Sequence, residues 1–313
     1  IMKHLILAAA AIAVSSSMAV SADTVKIGML QGFTGPTESL VAPMALGGEM
    51  AIQEVSDSGI FLGGKKVVSV RADSTCIDAA AATAAAERLV TSEGVSAING
   101  ATCSGATTAV LNNVAIANGV VMISPSATSP ALSTIADNDL FFRTAPSDAR
   151  QGEVLATVIR SRGYSKVAVT YTNNDYGKGL ADVYKAAVEA HGIKVTTVAA
   201  HEDGKADYSS EVATLASAGG DAVAVIGYLD QGGKGIIQGS LDSGAFDKFI
   251  LSDGMIGDSL TDAFGKDLNK SFGSMPGSMN KKTAGTFASV AKAAGIDSSG
   301  PYTGESYDAG ESQ

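Results

Sequence analysis

The sequence predicts an α/β protein made of two doubly wound parallel-sheet lobes joined by a hinge, and three observations predict it. Short β-branched runs alternate with Ala-rich segments along most of the chain, the pattern of parallel strands covered by helices on both faces. The alternation pauses at residues 141–146 and then restarts, which gives two such units and places a candidate hinge near residue 145. The length beyond residue 22 suffices for two domains of ordinary size.

In the first unit, strands are predicted at 25–30, 66–73, 95–99 and 120–124, with helices at 43–56, 79–93 and 104–118. In the second, helices at 151–162, 177–190, 208–218 and 232–243 alternate with strands at 166–171, 194–200, 222–227 and 248–251. The Gly-rich stretches at 232–235 and 273–277 read as turns. The two halves share an architecture but show no repeat in sequence.

The first residues read as an export signal. Lys3 and His4 precede an apolar run at 5–14, and Val20-Ser21-Ala22 fits the small-residue rule for cleavage after Ala22. That run is too short for a membrane span, which needs about 20 residues. A periplasmic location follows as the expectation. The formal net charge of −10 becomes −11 once Lys3 leaves with the signal. Such an acidic surface repels nucleic acid, which is excluded as a partner. Cys76 and Cys103 are an even count in an exported chain, which favours a disulfide closing a 27-residue loop. The three histidines, His4, His191 and His201, show no metal-ligand spacing with the cysteines, so no metal is predicted. No dinucleotide fingerprint follows a strand, and no cofactor is predicted.

Several motifs point to other chemistry and fail on their own requirements. Gly257-Asp258-Ser259-Leu260 spells a serine-esterase signature, but no histidine follows His201 to act as base. Gly232-Gly233-Lys234-Gly235 lacks the first glycine of a phosphate loop and its Ser/Thr. Asn269-Lys270-Ser271 matches a glycosylation acceptor that a bacterial export context leaves unused. His191 and His201 flank one strand, without a partner motif for catalysis.

What remains is a set of small polar residues just beyond strand ends, where open α/β sheets bind ligands. These are Gln31-Gly32-Phe33-Thr34-Gly35-Pro36, Gly100-Ala101-Thr102-Cys103-Ser104-Gly105 and Ser124-Pro125-Ser126-Ala127-Thr128-Ser129-Pro130. Ser104 opens a helix, whose free N–H groups and dipole favour a carboxylate. The Ser104 and Thr128 hydroxyls add neutral donors. The alternative is that Ser104 merely caps its helix and 124–130 is an ordinary turn.

These segments, together with Phe142-Arg143-Thr144, Asn174-Asp175-Tyr176-Gly177-Lys178-Gly179, Asp207-Tyr208-Ser209 and Gly300-Pro301-Tyr302, resemble a known family in order and spacing. The chain resembles the type I periplasmic binding proteins of ABC transporters, leucine/isoleucine/valine-binding group, from Val25 to Tyr307. The resemblance implies a solute-binding protein and not an enzyme. It implies a first lobe of 23–143 plus 278–313, a second lobe of 144–277, and a monomer that delivers its ligand to a membrane permease. Ser104, Ala127 and Thr128 match the family's carboxylate clamp. Tyr176 matches an aromatic cover from the second lobe, and Asp253 the acidic position that receives an α-ammonium. A buried cation needs a paired anion, although Asp253 in Ser252-Asp253-Gly254 also reads as a turn residue and Tyr176 as core packing. Phe33, Leu40 and Tyr228 complete the expected pocket. Leu40 stands where leucine-type proteins place a tryptophan, and Leu229 follows Tyr228 where a second tyrosine is expected, so the pocket floor differs. The family runs on for several tens of residues where this chain stops after Tyr307-Asp308-Ala309, so a truncated second lobe is expected. The function expected is capture of a branched-chain amino acid, or a related amino acid or amide, between the lobes. A sensor ectodomain of the same fold is the alternative, and a serine hydrolase the remote one.

Overall fold

The computed structural model describes residues 24–277 and 281–313. The expected signal at 1–22, its cleavage after Ala22 and the lobe boundary at 278 lie outside the described residues.

Two five-stranded sheets are present, and every pair within them is parallel. The first contains β1 (Val25–Gln31), β2 (Val67–Asp73), β3 (Ala97–Gly100), β4 (Val121–Ser124) and β5 (Phe141–Arg143), in the order β2-β1-β3-β4-β5. Around it lie α1 (Glu38–Ser58), α2 (Ala79–Glu87), α3 (Ser104–Val110) and α4 (Ile116–Asn118), the last reached from α3 through wide turns at 111–115. The second sheet contains β6 (Lys166–Thr172), β7 (Lys194–His201), β8 (Ala222–Ile226), β9 (Phe249–Leu251) and β10 (Phe272–Gly273), in the order β10-β9-β8-β6-β7. Its helices are α5 (Asp148–Ser161), α6 (Asp175–Ala190), α7 (Ser209–Ala218), α8 (Lys234–Ser243) and α9 (Asp258–Phe264); α10 (Lys281–Ala293) and α11 (Thr303–Glu311) follow.

The order of the strands reverses between β1 and β3 in one sheet, and between β6 and β8 in the other. At such switch points the connections diverge to opposite faces and leave a crevice at the carboxyl ends of the strands. The central strands are buried on both faces, as their runs of β-branched residues require; β8 is buried at all five positions.

The structure departs from the sequence reading in several places. The first helix begins at Glu38 and not at residue 43, so Pro43 lies inside it. The Leu40 and Val41 amides bond back to the Thr37 carbonyl at 2.9 and 3.1 Å, closing a turn ahead of the proline, and burial of Leu40, Val41 and Met44 draws that turn against the protein. At residues 141–146 the expected pause contains a three-residue strand, β5, paired with β4. Gly273, expected in a turn, belongs to the short edge strand β10.

One core cluster runs through both lobes, joining Ile98, Val110 and Met122 to Tyr176, Leu180 and Tyr184. Another fills the far face of the second sheet and includes Leu40 from the first helix. α11 lies against α1 at a glycine crossing, where a Cβ on Gly310 would stand 2.8 Å from the Gly48 carbonyl and one on Gly47 2.4 Å from the Thr303 carbonyl. Asn99 ties the crossing to the first sheet by donating to the Ser306 carbonyl at 3.1 Å.

Candidate functional site

The crevices of the two sheets face a common cavity of about 30 Å³, lined by Thr37, Leu40, Met44, Thr102, Cys103, Ser104, Ser126, Tyr176, Tyr228, Asp253, Gly254 and Tyr302. Most of these side chains arrive from just beyond a strand end or a helix start. Ser104 follows β3, Tyr176 follows β6, Tyr228 follows β8 and Asp253 follows β9.

Ser104 is the first residue of α3, not its cap; the cap position belongs to Cys103. The Ser104 hydroxyl accepts the Ser129 N–H at 3.1 Å, leaving its own proton to donate elsewhere. Cys103 is disulfide-bonded to Cys76, with Cα atoms 5.2 Å apart, so the bridge anchors the start of α3 to the end of β2.

Asp253 opens a short 3-10 turn, and its carbonyl accepts the Ile256 N–H at 3.0 Å, so it is a turn residue as well. Its carboxylate nonetheless points into the cavity with 3% of the residue exposed. The Tyr176 hydroxyl donates to Oδ1 at 2.7 Å, and the Tyr302 hydroxyl donates to Oδ2. Tyr176 stacks on Tyr228 with ring centroids 5.1 Å apart. Burial, followed by the charge of Asp253, pushes the Tyr176 and Tyr302 hydroxyls well above the usual phenol range, so both remain donors. For Tyr228 burial is again the largest cause, ahead of Asp203 and Asp253. The arrangement holds a buried carboxylate between phenol donors on one side of the cavity and sets neutral hydroxyls on the other.

Ser104, Leu40, Tyr176, Tyr228 and Asp253 therefore line one cavity. Three residues of the expected pocket do not. Ala127 is fully buried, its N–H donates to Ser124 Oγ at 2.9 Å, and its carbonyl accepts from Arg143 at 3.0 Å. The neighbouring Ser126 takes the place at the cavity instead, with its hydroxyl donating to the Thr102 carbonyl at 2.8 Å. Phe33 lies outside, with the Arg71 guanidinium 5.0 Å over its ring. Thr128 lines a second cavity of about 160 Å³, beyond Tyr302, together with Asp148, Gln151 and Ser274.

Asp148 is a residue the sequence reading missed. It opens α5 and is 1% exposed, and its Oδ2 has no hydrogen-bond partner. Burial, and then the negative charge of Asp253, hold its carboxyl well above the usual range; the Thr128 hydroxyl and Arg143 only partly offset this. Thr128 Oγ1 makes no hydrogen bond of ordinary geometry, although it lies near enough to favour the ionised form of Asp148. Tyr302, quoted in a sequence motif without a role, borders both cavities. A larger groove of about 730 Å³ runs between α10, α11 and residues 144–146 and contains, of all these, only Tyr302.

The esterase reading finds no support in the geometry. Ser259 Oγ accepts from Lys234 Nζ at 3.0 Å, and Lys234 is itself ion-paired with Asp230 at 3.4 Å. A paired ammonium is a poor base. His201 is buried elsewhere, with Nδ1 2.8 Å from the Thr170 hydroxyl. Among the described residues no group of His, Cys, Asp and Glu could hold a metal, and no helix is long and apolar enough to cross a membrane.

Residues 24–310 match the family described as periplasmic binding protein. The chain is 33% identical over 210 residues to Leu/Ile/Val-binding protein homolog 3 of Brucella melitensis, covering 67% of this chain and 56% of that protein. It is 34% identical over 222 residues to the leucine-, isoleucine-, valine-, threonine-, and alanine-binding protein of Pseudomonas aeruginosa, covering 71% and 58%. The chain thus spans less than two thirds of the length of these relatives. In fold it is similar to a leucine-binding protein of Thermotoga maritima, with TM-score 0.76, 22% identity, and 91% and 80% of the two chains covered. A branched-chain amino acid transporter substrate-binding protein of Streptococcus pneumoniae, solved with isoleucine, gives TM-score 0.78, 24% identity, and 92% and 82% coverage. The family and these relatives are binding proteins, not enzymes.

Proposed function

The chain belongs to the periplasmic binding protein family, and we propose that it is the extracytoplasmic solute-binding component of an ABC importer. Its ligand is a branched-chain amino acid or a related amino acid or amide, held between the lobes and presented to a membrane permease by a monomer. The first lobe comprises 23–143 with 278–313 and the second 144–277, a division supported by the packing of α11 on α1.

One observation carries this reading: neutral hydroxyls of the first lobe and a buried carboxylate of the second line the same cavity. Ser104 at the start of α3 suits a carboxylate, because helix amides and a hydroxyl hold an anion without a buried cation. Asp253 suits an α-ammonium, and a buried cation is tolerated only when paired. An α-amino acid carries both groups on one carbon, so it bridges the lobes. Thr128 and Asp148, across Tyr302, extend the site to the ligand's far side. A cavity of about 30 Å³ holds one or two waters at most, so the ligand enters by lobe separation and by a swing of Tyr302.

Isothermal titration with L-leucine, L-isoleucine, L-valine, L-threonine, L-alanine, L-glutamine and urea tests the reading. Heat with at least one α-amino acid is the expected result. No heat with any member overturns it.

A further inference from the structure

The lobes are also joined by polar contacts that line neither cavity. α1 has no side-chain cap of its own, because the Thr37 hydroxyl turns toward the Gly32 carbonyl at 3.4 Å. The cap is supplied by the other lobe. Asp230, in the turn after β8, accepts the Ser39 N–H through Oδ2 at 2.7 Å, and its own N–H donates to the Pro36 carbonyl at 3.0 Å. Its second oxygen, Oδ1, accepts from the Ser259 hydroxyl at 3.2 Å and from Lys234 Nζ at 3.4 Å. Ser259 Oγ also stands 3.1 Å from Ser39 Oγ. Beside this cluster Leu40 packs with Leu229, Met255 and Leu260 of the second lobe. Gly257 makes room for it: a Cβ there would stand 2.6 Å from Leu40 Cδ2.

We infer that Asp230, supported by Ser259 and Lys234, is an interlobe latch that favours closure by capping the first helix of the opposite lobe. A carboxylate is the group best suited to this, since the first helical N–H groups lack intrahelical partners and carry the positive end of the dipole. Lys234 keeps Asp230 from standing as an unpaired charge when the lobes part. The latch has a second effect. Thr37 and Leu40, which line the ligand cavity, flank Ser39, so opening removes the cap and loosens the turn that positions them. Closure and the shape of the first lobe's pocket wall are thereby coupled.

The inference rests on the proposed lobe motion but not on the ligand's identity, and its test uses the full chain alone. In Asp230→Ala the Ser39 amide exchanges about fivefold faster or more, the loss expected of a missing cap, and small-angle scattering gives a larger radius of gyration. Asp230→Asn keeps an acceptor and gives a smaller change in both. Ser259→Ala shifts both in the same direction by less. Unchanged scattering in Asp230→Ala overturns the latch even if exchange quickens, because Asp230 then caps a helix without holding the lobes. Should Asp230→Ala not fold, unchanged scattering in both Asp230→Asn and Ser259→Ala overturns it equally. A protein that gives no heat with amino acids but opens in Asp230→Ala loses the ligand reading and keeps the latch.

Discussion

The two lobes have the same sheet order and opposite chemistry. In the first, the strand ends carry hydroxyls, on Thr102, Ser104 and Ser126, and no carboxylate from them reaches the shared cavity. In the second, they carry Asp253, with Tyr176 and Tyr228 beside it, and Asp148 close behind. The lobes are also stabilised differently. The first carries the Cys76–Cys103 bridge, whereas the second encloses a neutral histidine, His201, packed against Gly227 and Gly232. On the proposed reading, one architecture divides recognition into an acid-reading half and an amine-reading half. A molecule with only one of the two groups would then satisfy only one lobe.

Substitutions can break this contrast. The largest effect is expected from Asp253→Ala, which leaves a ligand ammonium buried without its anion and should weaken binding of the responsive amino acid by about a thousandfold. Titration calorimetry reads the loss, while thermal unfolding should shift little. Collapse of the fold without a selective binding loss would make Asp253 structural. Next, Cys76→Ser should lower first-lobe stability by about 3–4 kcal/mol, the value typical of such a loop, in denaturant titration; wild-type protein under reducing agent should match it.

The second lobe has its own sensitivity, to acid. Burial lowers the His201 pKa from 6.5 to about 4. The unfolded chain therefore binds a proton below about pH 6.5 that the folded protein takes up only near 4. Stability falls as pH falls through that window, by roughly 3 kcal/mol in all. Denaturant midpoints measured across it should slope downward, and His201→Gln should flatten the slope. The smallest effect is expected from Ser104→Ala, about tenfold in affinity, since a neutral hydroxyl gives up about one ordinary hydrogen bond. A loss as large as that of Asp253→Ala would remove the asymmetry between the lobes.

The sheets were legible because buried parallel strands require continuous β-branched runs, as in β6 and β8. The strand β5 was not, because three residues ending in Arg143 carry too little pattern. α10 was not either; it is largely exposed, with Ala291 as its buried residue, and its small apolar residues make only a thin stripe around Phe287. At the site, Ser104, Tyr176 and Asp253 could be read because each immediately follows a strand or begins a helix. Ala127 itself lies off the cavity that its neighbour Ser126 lines. In Ser126-Ala127 the apolar member goes to the core and the polar one to the cavity, a preference that could have decided between them. Asp148 and Tyr302 depend on how distant segments meet, which local sequence does not encode. Tyr302 reaches Asp253 across 49 residues.

The glycine crossing of α1 and α11 sets an order of assembly. The strands β6 to β10 and the helices α5 to α9 are contiguous, from Asp148 to Gly273, and can pack together as soon as that stretch emerges from the ribosome. The strands of the first sheet are made earlier still, but α11 is translated after the whole of the second sheet, so the Asn99 amide and the Gly47–Gly48 pair meet their partners on α11 only then. Helix α1 thus finds its packing partner in a segment made after both sheets.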